Sequence, residues 1–170
     1  SGRVRGRSYD LAHLAHVELL SPRPEDSLHF FTEVMGMGVS GQEGDSVYLR
    51  GWDDYEFHTL KLTASKVSGM GHFAFRASSP DALERRVQAL GTVDLGLGWV
   101  EGDLGHGAAY QFRTPDGHAG ELYFDTRWYE ADAANRPALK NQAARFPARG
   151  ASLRRLDHLN LLASSVAPSR

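Results

Sequence analysis

The chain repeats its own pattern. A short segment, Ala15-His16-Val17-Glu18-Leu19-Leu20, runs into a Ser/Pro break, and Gly71-His72-Phe73-Ala74-Phe75-Arg76 restarts the pattern with its histidine 56 residues later. Apolar and polar side chains alternate at period two in both, which predicts a half-buried strand each time. After the first strand, Pro24 with Glu25 and Asp26 marks a helix start. Leu28, Phe31, Val34 and Met35 then share one helical face, and Gly36 can end the helix. After the second strand, Ser79 is a candidate N-cap with Pro80 at the first helical position. Leu83, Val87 and Leu90 make a buried stripe there, and Gly91 closes it. Each copy then offers three strand-like runs: 37–41, Ser46–Arg50 and 58–63 in the first, 99–101, 108–114 and 120–125 in the second. A chain that twice reads strand, helix, three strands is expected to be α+β, built from two tandem βαβββ modules.

A third opening follows, Leu156-Asp157-His158-Leu159-Asn160-Leu161-Leu162, with a Ser/Pro break through Pro168. It predicts the first strand of a third module at the C-terminus, cut off at Arg170. The expected organisation is a frayed tail over 1–10 carrying Arg3, Arg5 and Arg7, a first module over 11–66 and a second over 67–127. A polar, Ala/Arg/Asn-rich linker over 128–153 follows, with one short helix near 137–144, and 154–170 opens the truncated third module.

Composition restricts the chemistry. The absence of cysteine removes disulfides, thiolate zinc sites, iron–sulfur clusters and thiol nucleophiles, so any metal must be held by carboxylates and the eight histidines. A formal net charge of −2 gives no electrostatic reason to expect nucleic acid or an anionic membrane as partner. No apolar run approaches a membrane span and the polar start lacks a signal-peptide core, which predicts a cytoplasmic protein.

If the two copies pair about a pseudo-twofold axis, His16 and His72 occupy equivalent positions and face each other. Glu121, within Gly120-Glu121-Leu122-Tyr123-Phe124, is a carboxylate among apolar strand residues, costly to bury without a compensating charge. Two histidines and one carboxylate form the facial set that holds non-haem Fe(II) with positions left open. The competing reading has ordinary half-buried strand histidines and a glutamate paired with Arg76 or Arg113. Gly96-Leu97-Gly98 and the glycines over 102–107 predict hairpin turns, because no strand–loop–helix unit surrounds them as a phosphate loop requires. His106, between two glycines, is expected to be a mobile loop residue. Thr114-Pro115-Asp116-Gly117 predicts a tight turn, and Trp52, Trp99 and Trp128 predict core or rim packing. No Gly-x-Ser-x-Gly elbow supports a hydrolase.

Several motifs together resemble the type I extradiol ring-cleaving dioxygenases of the catechol 2,3-dioxygenase kind. They are Ala15-His16-Val17-Glu18-Leu19, Phe30-Phe31-Thr32-Glu33-Val34-Met35-Gly36-Met37, Val47-Tyr48-Leu49-Arg50-Gly51-Trp52 and Thr114-Pro115-Asp116-Gly117-His118-Ala119-Gly120-Glu121-Leu122-Tyr123. The stretch from Leu139-Lys140-Asn141-Gln142 through Arg155-Leu156-Asp157-His158 is similar to that family's interdomain connection. The resemblance implies the vicinal oxygen chelate fold of paired βαβββ modules, shared with glyoxalase I and bleomycin-resistance proteins. It implies an Fe(II)-dependent enzyme that opens catechol-type rings with O₂, commonly as a homo-oligomer. Mn(II), or no metal in this part, is the alternative. In that family the active metal lies in the second pair of modules, which makes His158 its first ligand and puts the remaining catalytic residues past Arg170. This half is then expected to turn over little by itself. His16, His72 and Glu121 nevertheless stand where a decayed site is usual, so they form a candidate triad. Two other readings share the fold: a stand-alone small-molecule-binding protein, and a small metalloenzyme using the same triad. A glyoxalase-like isomerase would need a further carboxylate on the last strand of the first module, which reads Thr59-Leu60-Lys61-Leu62-Thr63.

Overall fold

The computed structural model describes residues 9–167. The basic cluster Arg3, Arg5 and Arg7 lies outside the described residues. Strand β1 (Leu11–Ser21) leads into helix α1 (Pro24–His29), then strands β2 (Gly38–Glu43), β3 (Ser46–Arg50) and β4 (Leu60–Ala64). The second module repeats this with β5 (Gly69–Ala77), α2 (Pro80–Thr92), β6 (Gly96–Val100), β7 (Ala109–Arg113) and β8 (Ala119–Tyr123). The two tandem βαβββ modules expected from the repeat are both present.

All eight strands join one sheet in the order β2-β3-β4-β1-β5-β8-β7-β6. Each module places its last strand parallel to its first, and β1 meets β5 antiparallel at the centre. That antiparallel seam relates the modules by a pseudo-twofold axis and sets His16 opposite Ala74 beside His72.

Period-two alternation separates the two faces. On the helix side, Leu83, Val87 and Leu90 of α2 pack against Phe75, Ala77, Phe112 and Leu122. Leu28 of α1 and Phe31 just after it pack against Val17, Leu19, Met37, Leu49 and Leu60. Burying each large side chain contributes about 1.5–3 kcal/mol, which makes these clusters the main hold on both helices. The opposite face carries His16, Glu18, Tyr48, Lys61, His72, Glu121 and Tyr123 from the same strands.

Local signals set the element ends. The Ser79 hydroxyl accepts from the Ala82 N–H, and Pro80 occupies the first turn of α2. α1 continues as a π-helical segment, Phe30–Val34, in which the Thr32 hydroxyl donates back to the Leu28 carbonyl at 2.8 Å and the Met35 N–H reaches the Phe30 carbonyl. Gly36 then adopts φ +76° where a Cβ would collide with the Arg149 carbonyl. Gly117 closes the 114–117 turn with φ +88°.

Two expectations are corrected. The linker forms turns over 133–141 and no helix near 137–144, because its backbone groups are taken by distant partners: Ala143 N–H donates to buried Asp53 and Arg145 N–H to the Asn135 carbonyl. Residues 154–167 carry no strand. A strand needs a ladder partner, whereas this segment is fastened by isolated contacts, to the first module and, through Ser164 N–H on Asp116, to the second. The Leu153 and Arg154 carbonyls accept from Trp52 and Asp53 N–H, and the Arg154 and Arg155 guanidiniums both reach the Asp53 carboxylate. Of the three tryptophans, Trp99 and Trp128 are rim residues, while Trp52 donates to the Ser152 carbonyl.

Candidate metal centre

β1 and β5 bring the two predicted histidines together. The Nε2 atoms of His16 and His72 lie 3.0 Å apart, with both residues buried. Glu121 on β8 completes the triad, its Oε2 3.5 Å from His72 Nε2. Its Oε1 accepts from the Gln111 amide at 2.9 Å, and neither Arg76 nor Arg113 is bonded to it. Arg76 instead reaches Glu56, and Arg113 donates to the Gly117 carbonyl.

His16, His72, Glu121 and Asp103 each offer a ligand atom, all within 4.8 Å of one another. Two imidazole nitrogens sharing a metal at about 2.1 Å, roughly at right angles, lie about 3 Å apart. The His16–His72 separation matches that edge, so the residues fit a divalent ion. The donor set, imidazole with carboxylate, suits iron, manganese or zinc.

Surrounding groups orient the ligands unequally. Glu18 Oε2 accepts from His72 Nδ1 at 2.9 Å, leaving Nε2 as the nitrogen that faces the centre. His16 has no such support: its Nδ1 is buried with no hydrogen-bond partner among the described residues. Burial pushes the Glu18 carboxyl up, but hydrogen bonds from His72 and Thr63 and the nearby cationic side chains outweigh it and hold it at about 2. Glu18 is therefore an anion at neutral pH. Burial drives His16 well below the ordinary imidazole value, helped by the neighbouring His58, His72 and His106. His16 is accordingly neutral, the form that binds a metal.

Sequence reasoning missed much of the surroundings. His58 and His106 join His16 in a stack of rings, with centroids 4.2 Å (His16–His58) and 5.5 Å (His16–His106) apart. His106, expected as a mobile loop residue, is packed: its ring lies on Tyr123 at 4.1 Å and 13°, and its Nδ1 donates to the Gly107 carbonyl. That stacking gives a glycine-rich segment a packing partner far along the chain. The Nε2 atoms of His58 and His106 find no partner among the described residues. Desolvation lowers His58 to about 3 and also lowers His106. Lys61 Nζ donates to both Asp103 oxygens at 2.8 Å and stands 3.6 Å from Glu18. Asp103 supplies, from the loop after β6, a carboxylate that the last strand of the first module lacks. His158 stands apart. It is exposed, contacts Asp157, and does not belong to the His16–His72–Asp103–Glu121 group.

The sequence profile of the Glyoxalase/Bleomycin resistance protein/Dioxygenase superfamily matches residues 13–122. The chain is 51% identical over 157 residues to a metapyrocatechase of Geobacillus stearothermophilus, covering 92% of this chain and 48% of that protein. It is 33% identical over 154 residues to a manganese-dependent 2,3-dihydroxybiphenyl 1,2-dioxygenase of Geobacillus genomosp. 3, covering 89% and 49%. The fold resembles homoprotocatechuate 2,3-dioxygenase of Brevibacterium fuscum, with TM-score 0.69 and 24% identity over 76% of this chain and 36% of that one. The chain thus spans about half the length of the curated relatives it matches. No helix among the described residues is long and apolar enough to cross a membrane. With its paired modules, and with the profile matching most of its length, the chain belongs to the glyoxalase/bleomycin resistance/dioxygenase superfamily.

Proposed function

We propose that this chain is the amino-terminal half of an extradiol dioxygenase that opens catechol-type rings with O₂. Its close relation to the Geobacillus metapyrocatechase carries this reading. Fe(II) is the proposed metal, with Mn(II) the alternative that the second relative's name suggests. His16, His72 and Glu121 would hold a divalent ion between the modules, and His158 would be the first ligand of a second centre completed by the half of the relatives this chain does not span. A metal so held supplies a Lewis acid for the vicinal hydroxyls of a catechol.

The chain's own residues do the positioning. Glu18 fixes the His72 ring, Gln111 fixes one oxygen of Glu121, and the His16–His58–His106 stack keeps water from the centre. A cavity of about 1000 Å³ lies elsewhere, lined by Arg50, Trp52, Phe57, Arg127, Trp128 and Tyr129 among others. The triad does not line it, which supports a scaffold role with little turnover by this half alone. The same cavity favours a second reading, a stand-alone protein that binds an anionic aromatic molecule.

The test is ring opening. The chain is loaded with Fe(II) without oxygen and given catechol in air, alone and joined to the carboxy-terminal half of the Geobacillus metapyrocatechase. Yellow ring-opened product is expected only from the joined protein. Product from the chain alone would place the chemistry on His16, His72 and Glu121, and no product from either would overturn the dioxygenase reading.

A further inference from the structure

The pseudo-twofold axis relates more than the two histidines. On the β1–β4 ladder Glu18 stands opposite Lys61, and on the β5–β8 ladder Ala74 stands opposite Glu121. Glu18 and Ala74 each follow their module's histidine by two residues, so Lys61 is the counterpart of Glu121. One member of this pair is a carboxylate and the other an ammonium.

The ammonium is held where a cation is wanted. Lys61 is only 13% exposed, gives Nζ to both oxygens of Asp103 at 2.8 Å, and lies 3.6 Å from Glu18 Oε1. Asp103 is also the fourth member of the group whose ligand atoms converge within 4.8 Å. The same carboxylate is therefore contested by an internal cation and by any metal at His16, His72 and Glu121. A lysine donor engaged by both carboxylate oxygens takes one lone pair on each and offsets the negative charge a metal would meet, and a mostly buried positive charge repels a divalent ion with reduced screening from water.

We propose that Lys61 sets the affinity of this centre: its ammonium is a built-in counter-cation that competes with a metal for Asp103, leaves His16, His72 and Glu121 as the metal's protein ligands, and weakens binding. The proposal rests on the metal reading of the triad. It makes the charge at position 61, rather than the histidines, the feature that decides how tightly this module pair binds a divalent ion.

The experiment is calorimetric titration of the wild-type chain, Lys61→Met, Lys61→Glu and Lys61→Arg with Mn(II) and Zn(II) at fixed pH without oxygen. Thermal unfolding with and without metal serves as a second readout and as the check on folding. Lys61→Met should bind about tenfold tighter than wild type or better. Lys61→Glu should bind tighter still and gain the largest rise in melting temperature on metal addition. Lys61→Arg, which keeps the charge, should stay within about threefold of wild type. If Lys61→Met does not fold, Lys61→Gln, which keeps a donor for Asp103, takes its place. Equal affinity in wild type and the neutral variant would overturn the role of Lys61 and leave the triad reading standing. Binding only in the neutral or acidic variants would uphold that role and overturn metal binding by the wild-type triad. No binding in any folded variant would overturn both.

Discussion

Metal-free protein is expected to lose stability steeply as the pH falls from 7 to 5, well above the range where carboxylates titrate. The cause is the buried imidazole stack. Desolvation holds His58 at about 3 and drives His16 well below its ordinary value of 6.5, the neighbouring rings adding to the effect. Between those values and about 6.5 the unfolded chain binds a proton on each ring that the folded chain refuses. Stability therefore rises with pH through this window, is fully present above about 6.5, and is lost as pH drops toward 3. Each such ring contributes a slope of about 1.4 kcal/mol per pH unit. From pH 6.5 to 5 His58 alone removes about 2 kcal/mol, and His16 adds to the loss in the same direction, against the 5–15 kcal/mol that holds a typical domain. At about 2–4 °C per kcal/mol, the melting temperature should fall by at least about 4–8 °C. Melting curves at pH 5, 6, 7 and 8 measure this, and His58→Phe, which fills the ring space without titrating, should show a clearly weaker dependence. A flat profile down to pH 5 would contradict the account.

The second large effect concerns Glu56, which is 2% exposed and carries two strong partners. Arg76 Nε and the Tyr123 hydroxyl each donate to it at 2.5 Å. Burial and the Glu56 charge push the Tyr123 phenol well above its ordinary value, so it remains a donor. Glu56→Ala strands a mostly buried guanidinium and a buried hydroxyl together, and breaking a buried pair from one side costs about 3–5 kcal/mol. Glu56→Gln keeps an acceptor for Tyr123 but leaves Arg76 uncompensated, at about 1–3 kcal/mol. Urea unfolding at pH 7 separates the two, and a cost below about 1 kcal/mol for the alanine variant would contradict the network. Because the Tyr123 ring stacks on His106, Glu56→Ala should also loosen the wall of the candidate centre.

The repeat made the architecture readable. Period-two alternation around His16 and His72 placed β1 and β5, the Ser79-Pro80 start placed α2, and Ser46–Arg50 was read to the residue. Glu121 was visible because a charge stood among apolar strand positions. Lys61 was not, since a lysine on a short strand reads as a solvated face. The two modules differ in helix length and in the connection before the last strand, so counting residues does not align Lys61 with Glu121; only the strand registers do. Asp103 and His106 escaped for a related reason: they come from a glycine-rich loop whose course is set by Tyr123 and Lys61, partners far along the chain. Residues 154–167 carry the alternation of a strand, but hydrogen bonds to Trp52 and Asp53 and the pull of the Asp53 carboxylate on Arg154 and Arg155 take the place of a ladder.

The most direct test of the central claim, that the two modules build a metal centre across their axis, is a metal count. The chain is reconstituted with Fe(II) or Mn(II) without oxygen, desalted, and its bound metal measured by elemental analysis beside His72→Ala and Glu121→Gln. About one ion per wild-type chain, lost from both variants, is the expected result. No bound ion, or the same occupancy in all three proteins, would contradict it.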